Sequence, residues 1–174
     1  MFYSPEVIGW YGLASAMLRR PVMLISQSLN VVFFQNMTVL ENKGKNQLVI
    51  LLKTTLLLFS VGIIPFIVIF FFAEDIFQLL FGNEWSAAGV YAKILSPWLF
   101  SMFITFPSDQ IVVVKQLLGF KMAIELVYLI SVVVVIYGGA YILKANINVI
   151  LSAFSAVGFF RCIFVLIMAF KHTI

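Results

Sequence analysis

The segment LVILLKTTLLLFSVGIIPFIVIFFFA, residues 48–73, decides the fold class of this chain. It carries one charge, Lys53, and a helix of this length crosses the ~30 Å hydrocarbon core of a bilayer. Four further apolar runs flank it. Because backbone polar groups inside the hydrocarbon must be satisfied within the protein, we expect each run to form a helix. The sequence therefore predicts an all-α, polytopic transmembrane bundle.

The apolar runs predict five transmembrane helices joined by short loops, at residues 7–40, 47–73, 87–117, 121–143 and 147–170. The first and third runs are too long for one straight crossing, and they contain prolines. We therefore expect kinks or breaks at Pro21, Pro97 and Pro107.

Residues 74–82, EDIFQLLFG, place their apolar side chains on one side of a helix. This pattern predicts a short, separate interfacial helix that Gly82 ends.

Composition excludes several classes of function. Of the 174 residues, 63% are hydrophobic and 10% are charged, and five crossings use nearly the whole length as one transmembrane domain, residues 1–174. The net charge of +4 consequently does not indicate nucleic acid. With one histidine and one cysteine, the chain offers neither a metal cluster nor a Cys/His pair, and it has no phosphate-binding glycine loop. We therefore expect no enzymatic activity and no bound metal or cofactor.

Charged loops predict the orientation in the membrane. The predicted cytoplasmic side carries the basic residues Lys43, Lys45, Lys115, Lys121 and Lys171. Aromatic residues fall near the predicted outer ends: Tyr3, Trp10, Tyr11, Trp85, Tyr91, Trp98, Tyr137 and Tyr141. The N-terminus is therefore expected outside and the C-terminus in the cytoplasm.

Four polar residues of the first helix are candidate substrate-binding residues. Arg19 and Arg20 lie inside the membrane span. The planar guanidinium of an arginine, a fork of N–H donors, can bind a phosphate group with two parallel hydrogen bonds. The alternative is that both snorkel to lipid head groups. Gln27 and Asn30 could contact sugar hydroxyls in a water-filled cavity or form hydrogen bonds between helices.

Asp109 and Arg161 form a candidate ion pair. If Lys115 and Lys171 mark the inner boundary of the membrane, Asp109 lies about 9 Å and Arg161 about 15 Å from that boundary. The pair could be an ion-sensitive lock of a transporter or a static link between the third and fifth helices. Glu125, one turn beyond Lys121, is expected to be solvated or paired locally.

Three stretches resemble the C-terminal half of Wzx-type O-antigen and polysaccharide flippases, which belong to the multidrug/oligosaccharidyl-lipid/polysaccharide exporter superfamily. They are PEVIGWYGLASAMLRRPVMLISQSLNVVFFQ at residues 5–35, FGNEWSAAG at 81–89 with LSPWLF at 95–100, and PSDQIVVVKQ at 107–116.

The resemblance implies a twelve-helix transporter of the bacterial inner membrane, built from two six-helix lobes around a cavity that opens alternately to each side. This chain would supply helices eight to twelve, so we expect a missing N-terminal lobe. Met1 could be an internal methionine, the start of a truncated reading frame or the result of an incompletely assigned gene. The implied partner is a polyprenyl-pyrophosphate-linked oligosaccharide, whose pyrophosphate a cationic cavity would hold. The alternatives are a drug or cation antiporter of the same superfamily and a nonfunctional membrane remnant.

Overall fold

The computed structural model describes residues 4–173, which form five long helices. These are α1 (Pro5–Asn42), α2 (Leu48–Phe81), α3 (Ser86–Val114), α4 (Leu118–Tyr137) and α5 (Ile147–Thr173). A 3₁₀ turn, Asn83–Trp85, precedes α3, and a π-helical turn, Gly138–Ile142, extends α4. Residues 4–173 contain no strand.

The prediction of five membrane-spanning helices is confirmed, because five helical segments are long and apolar enough to cross a bilayer. Tyr3, one of the predicted outer aromatic residues, lies outside the described residues.

Helix α3 is the centre of the bundle. It packs against α1, α2 and α5, and 56% of the most apolar window of its span is buried, against 17% for α1 and for α2. Helix α4 packs mainly against α5 and contains no buried residue. Consequently α3 holds the bundle together, whereas α4 lies at its edge.

Close backbone contact joins α2 to α3. A Cβ atom added to Gly89 of α3 would lie 2.5 Å from the Cα atom of Glu74, so only glycine permits this approach. Leu51 at the beginning of α2 shares a buried cluster with Ile111 near the end of α3. These two contacts show that α2 and α3 run antiparallel.

The prediction of a separate interfacial helix at residues 74–82 is wrong. Helix α2 continues through this segment to Phe81 and ends at Gly82, which has a φ of 99°. No glycine or proline interrupts the segment before Gly82. Ala73 and Phe77 both remain buried in the main core cluster, so the same face of α2 stays packed along its length.

The prolines do not break the helices. Of the kinks or breaks expected at these positions, the breaks do not occur. Pro21 lies inside α1, and Pro97 and Pro107 lie inside α3, each within a continuous helix. Proline cannot donate to the carbonyl four residues earlier. At Pro97 the hydroxyl of Ser96 donates instead to the Lys93 carbonyl at 2.9 Å, which satisfies that acceptor.

The ends of three helices meet at the predicted cytoplasmic side. Gln47 is buried and donates from its side-chain amide to the Met37 carbonyl at 2.9 Å and to the Glu41 carboxylate at 3.0 Å. The Glu41 carboxylate also lies 2.7 Å from the Lys115 amine. This group of side chains fixes the end of α1 against the beginning of α2 and the end of α3.

Candidate functional site

The first polar region lies on one side of α1. The buried residues Ala14, Leu18 and Val22 face the bundle, and Arg20 and Gln27 are exposed on the opposite side. Seven residues separate Arg20 from Gln27, which is almost two helical turns, so they share a face. We call the exposed side of α1 that contains these two residues the α1 polar face.

The two arginines of α1 occupy different environments. The guanidinium of Arg19 lies over the indole of Trp98 on α3, 5.9 Å from its ring centroid. Successive residues of a helix point about 100° apart, so the adjacent Arg20 points elsewhere. Within residues 4–173, Arg20 has no ion-pair or hydrogen-bond partner. Both arginines are exposed, but Arg19 contacts α3 through Trp98, whereas Arg20 has no such contact and is available to a ligand.

Gln27 and Asn30 also lack partners in the described part of the chain. Gln27 is exposed and Asn30 is half-buried. Neither side chain forms a hydrogen bond with any residue from 4 to 173, so the hydrogen bonds between helices that the sequence allowed do not form there. Both amides are free to bind a polar group that approaches α1.

The second polar region joins α3, α4 and α5 through Arg161. Its guanidinium lies 3.5 Å from the Asp109 carboxylate of α3. It also forms a hydrogen-bonded ion pair with Glu125 of α4, in which Nε donates at 3.1 Å. The Lys121 amine lies 3.1 Å from Asp109. We call these four residues the Arg161 cluster.

The expected local pairing of Glu125 is wrong. Its neighbour on α4, Lys121, binds Asp109, and Glu125 binds Arg161. Both interactions cross between helices because the outer helix α4 presents its polar side to α3 and α5. In the sequence, the i, i+4 spacing of Lys121 and Glu125 marks a polar stripe, but this spacing does not reveal the partners.

The formal charges of the Arg161 cluster cancel, because two carboxylates balance two cations. The side chains of Arg161 and Asp109 are only 16% and 19% exposed. A guanidinium that already binds two carboxylates has few donors left for a substrate. The geometry therefore suits a link that holds α4 against the bundle.

Residues 4–173 contain no group of three or more histidine, cysteine, aspartate and glutamate side chains placed to hold a metal ion.

Comparison with known proteins identifies the family. A family model described as a polysaccharide biosynthesis protein matches residues 1–89, which is about half of the chain and includes the α1 polar face. No curated protein and no solved structure matches the chain. Five membrane-spanning helices and the family match agree with a multi-pass membrane protein that acts in polysaccharide synthesis. The chain belongs to the polysaccharide biosynthesis protein family.

Proposed function

We propose that this chain is one part of a two-lobed transporter that moves a lipid-linked oligosaccharide across the bacterial inner membrane by alternating access. Two findings support this proposal: the family match, and a bundle that consists of membrane helices throughout the described residues. The observation that carries it is the α1 polar face, where Arg20 and Gln27 lack a partner in the described chain.

The position of Arg20 along α1 supports a binding role. It lies within about 5 Å of the helix midpoint, counted at 1.5 Å of rise per residue. A guanidinium at that depth of a membrane helix requires an anion, a polar partner or a water-filled cavity. A pyrophosphate bound by the arginine fork would meet this requirement.

A second helical lobe completes the site in this proposal. The polar groups of Arg20, Gln27 and Asn30 would be costly against lipid but not beside an aqueous cavity shared with another lobe. Arg20 would bind the pyrophosphate, and Gln27 and Asn30 would contact sugar hydroxyls. Arg19, held over Trp98, would instead position α1 against α3.

The Arg161 cluster has a structural role in this mechanism. It attaches α4 to α3 and α5, and its balanced charges require no bound ion. Alternating access needs lobes that move as units, so a firmly attached outer helix would favour that motion.

The experiment is complementation in the source cell. Deleting the gene should reduce surface polysaccharide and cause its lipid-linked precursor to accumulate on the cytoplasmic side. Arg20→Gln should reproduce this defect at normal protein abundance, and Arg20→Lys should restore part of the export because it keeps the charge but not the fork. Lys53→Gln is the matched control, since Lys53 is also an exposed cation within a membrane helix. Normal surface polysaccharide in the deletion strain would refute the proposal.

A further inference from the structure

A groove of about 550 Å³ runs along the bundle on the outside of α3. Helix α2 contributes Phe70, α3 contributes Lys93 and Pro97, and α5 contributes Ser155 and Phe159. We call it the Lys93 groove. It continues into a cleft of about 210 Å³ between α2 and α3, which shares Phe70 and Pro97 and reaches Phe100.

The Lys93 groove lies on the side of α3 opposite to α1. With about 100° between successive residues, Lys93, Pro97 and Phe100 fall on one side of α3. Trp98, which contacts Arg19 of α1, falls on the other side. The groove is therefore separate from the α1 polar face.

Lys93 is the one charged residue that lines the groove and the adjoining cleft. Its amine lies 5.8 Å from the centroid of the Phe70 ring, and no carboxylate of residues 4–173 forms an ion pair with it. The nearby Glu74 accepts a hydrogen bond from Ser86 at 2.9 Å. Lys93 thus presents an uncompensated positive charge to the groove.

A hydroxyl without a hydrogen-bond partner opens into the same groove. Ser155 is only 5% exposed and lines the cavity, yet it forms no hydrogen bond with any residue from 4 to 173. An unpaired cation and an unpaired hydroxyl together provide donors for an anionic oxygen.

Polarity changes along the groove in the same order as in a phospholipid. Lys93 lies about 8 Å from the midpoint of the span Asn83–Val114, on the side of its N-terminal end. The cleft that follows is lined by Ile63, Phe66 and Phe100 and extends toward the middle of the bundle. A head group would fit at the Lys93 end, and an acyl chain would fit along the cleft.

We propose that the Lys93 groove binds a phospholipid of the bilayer, with the lipid phosphate on Lys93 and Ser155 and one acyl chain in the cleft between α2 and α3. Charge complementarity supports a phosphate-bearing lipid, and the position opposite α1 supports a bilayer lipid over the transported oligosaccharide lipid.

Native mass spectrometry of the purified full chain tests this proposal. The protein would be incubated with phosphatidylglycerol or with a diacylglycerol of identical chains, which lacks the phosphate. We expect phosphatidylglycerol to bind at about tenfold lower concentration than the diacylglycerol. The reason is that hydrogen bonds between charged groups are stronger than those between neutral groups.

Four variants locate the site. Lys93→Gln should weaken phosphatidylglycerol binding about tenfold, and Lys93→Arg should restore it. Ala156→Phe, at an exposed residue that lines the groove, should block the lipid sterically. Lys53→Gln removes an exposed membrane cation elsewhere and should change nothing. Tryptophan fluorescence would check that each variant is folded. The comparison of the two lipids uses the unmodified chain and therefore does not depend on the folding of any variant.

Four results would overturn the proposal. Equal binding of the two lipids would exclude the phosphate contact. An equal loss of binding in Lys53→Gln, or unchanged binding in Ala156→Phe, would exclude this groove. Displacement of phosphatidylglycerol by an equimolar polyprenyl phosphate would assign the groove to the transported lipid instead. None of these results depends on the export activity proposed above.

Discussion

Asp109 of α3 and Arg161 of α5 lie 3.5 Å apart although 52 residues separate them in the chain. The same guanidinium binds Glu125 of α4, so one side chain contacts acidic residues on two other helices. Helix α4 contains no buried residue, and its attachment therefore relies on these charges and on its contact with α5.

Removing Arg161 should destabilise the protein more than removing either carboxylate. Arg161→Gln leaves Glu125 without its partner, and we expect a loss of about 2 kcal/mol, which is less than for a fully buried pair because the cluster is partly exposed. The free energy of unfolding can be measured by tryptophan fluorescence during titration of the purified protein with denaturing detergent.

The double variant Glu125→Gln with Arg161→Gln separates a direct interaction from two independent effects. Because it leaves no uncompensated charge at this pair, its loss should be smaller than the sum of the two single losses. Additive losses would show that the residues act separately. Unchanged stability with lost export in Arg161→Gln would favour the ion-sensitive lock over the structural link.

The two neighbouring arginines of α1 should differ in their effect on stability. Arg19→Gln removes the contact with Trp98 and should cost about 0.5–1 kcal/mol. Arg20→Gln should leave the stability of the chain unchanged, because Arg20 has no partner within residues 4–173. The same unfolding assay compares them, and an equal loss for the two variants would contradict their assignment to different environments.

Gly89→Ala should destabilise the bundle by about 1–3 kcal/mol, the range for an overpacked core. The added Cβ would lie 2.5 Å from Glu74 Cα, and backbone cannot rotate out of the way as a side chain can. Gly12→Ala is the matched control, since no atom lies within 4 Å of its added Cβ. The control should be neutral or stabilising, because alanine favours helix over glycine. Equal stability of both variants would argue against the close contact of α2 and α3.

Cysteine labelling in cells tests the predicted orientation. In a Cys162→Ala background, a membrane-impermeant reagent should label Asn83→Cys from the outside and Lys45→Cys only after the membrane is opened. We expect this orientation because basic residues are concentrated at the predicted cytoplasmic ends of the helices. Labelling of Asn83→Cys only from the inside would reverse the topology.

Some boundaries could be predicted from the sequence and others could not. Gly82 was predicted to end a helix and does so, because its φ of 99° strongly favours glycine. The separate interfacial helix that was expected before it does not exist. Its apolar pattern is also the pattern of a helix packed on one side, and Ala73 and Phe77 continue the buried face of α2.

The sequence by itself determined the five crossings. Their lengths follow from the bilayer thickness and from the requirement that backbone polar groups bond internally, and both conditions act on each segment alone. It also indicated that Asp109 and Arg161 lie at similar depths, since helical rise fixes depth along a segment.

Only the tertiary structure decided which side of each helix meets which neighbour. Most residues of these helices are apolar, and a lipid-facing side has the same composition as a buried one. Arg19 and Arg20 are adjacent in sequence, yet Arg19 contacts Trp98 and Arg20 lies on the α1 polar face. The partners of Arg161 and the Lys93 groove likewise arise from the rotation of neighbouring helices about their axes, which contacts between distant segments fix and local periodicity does not.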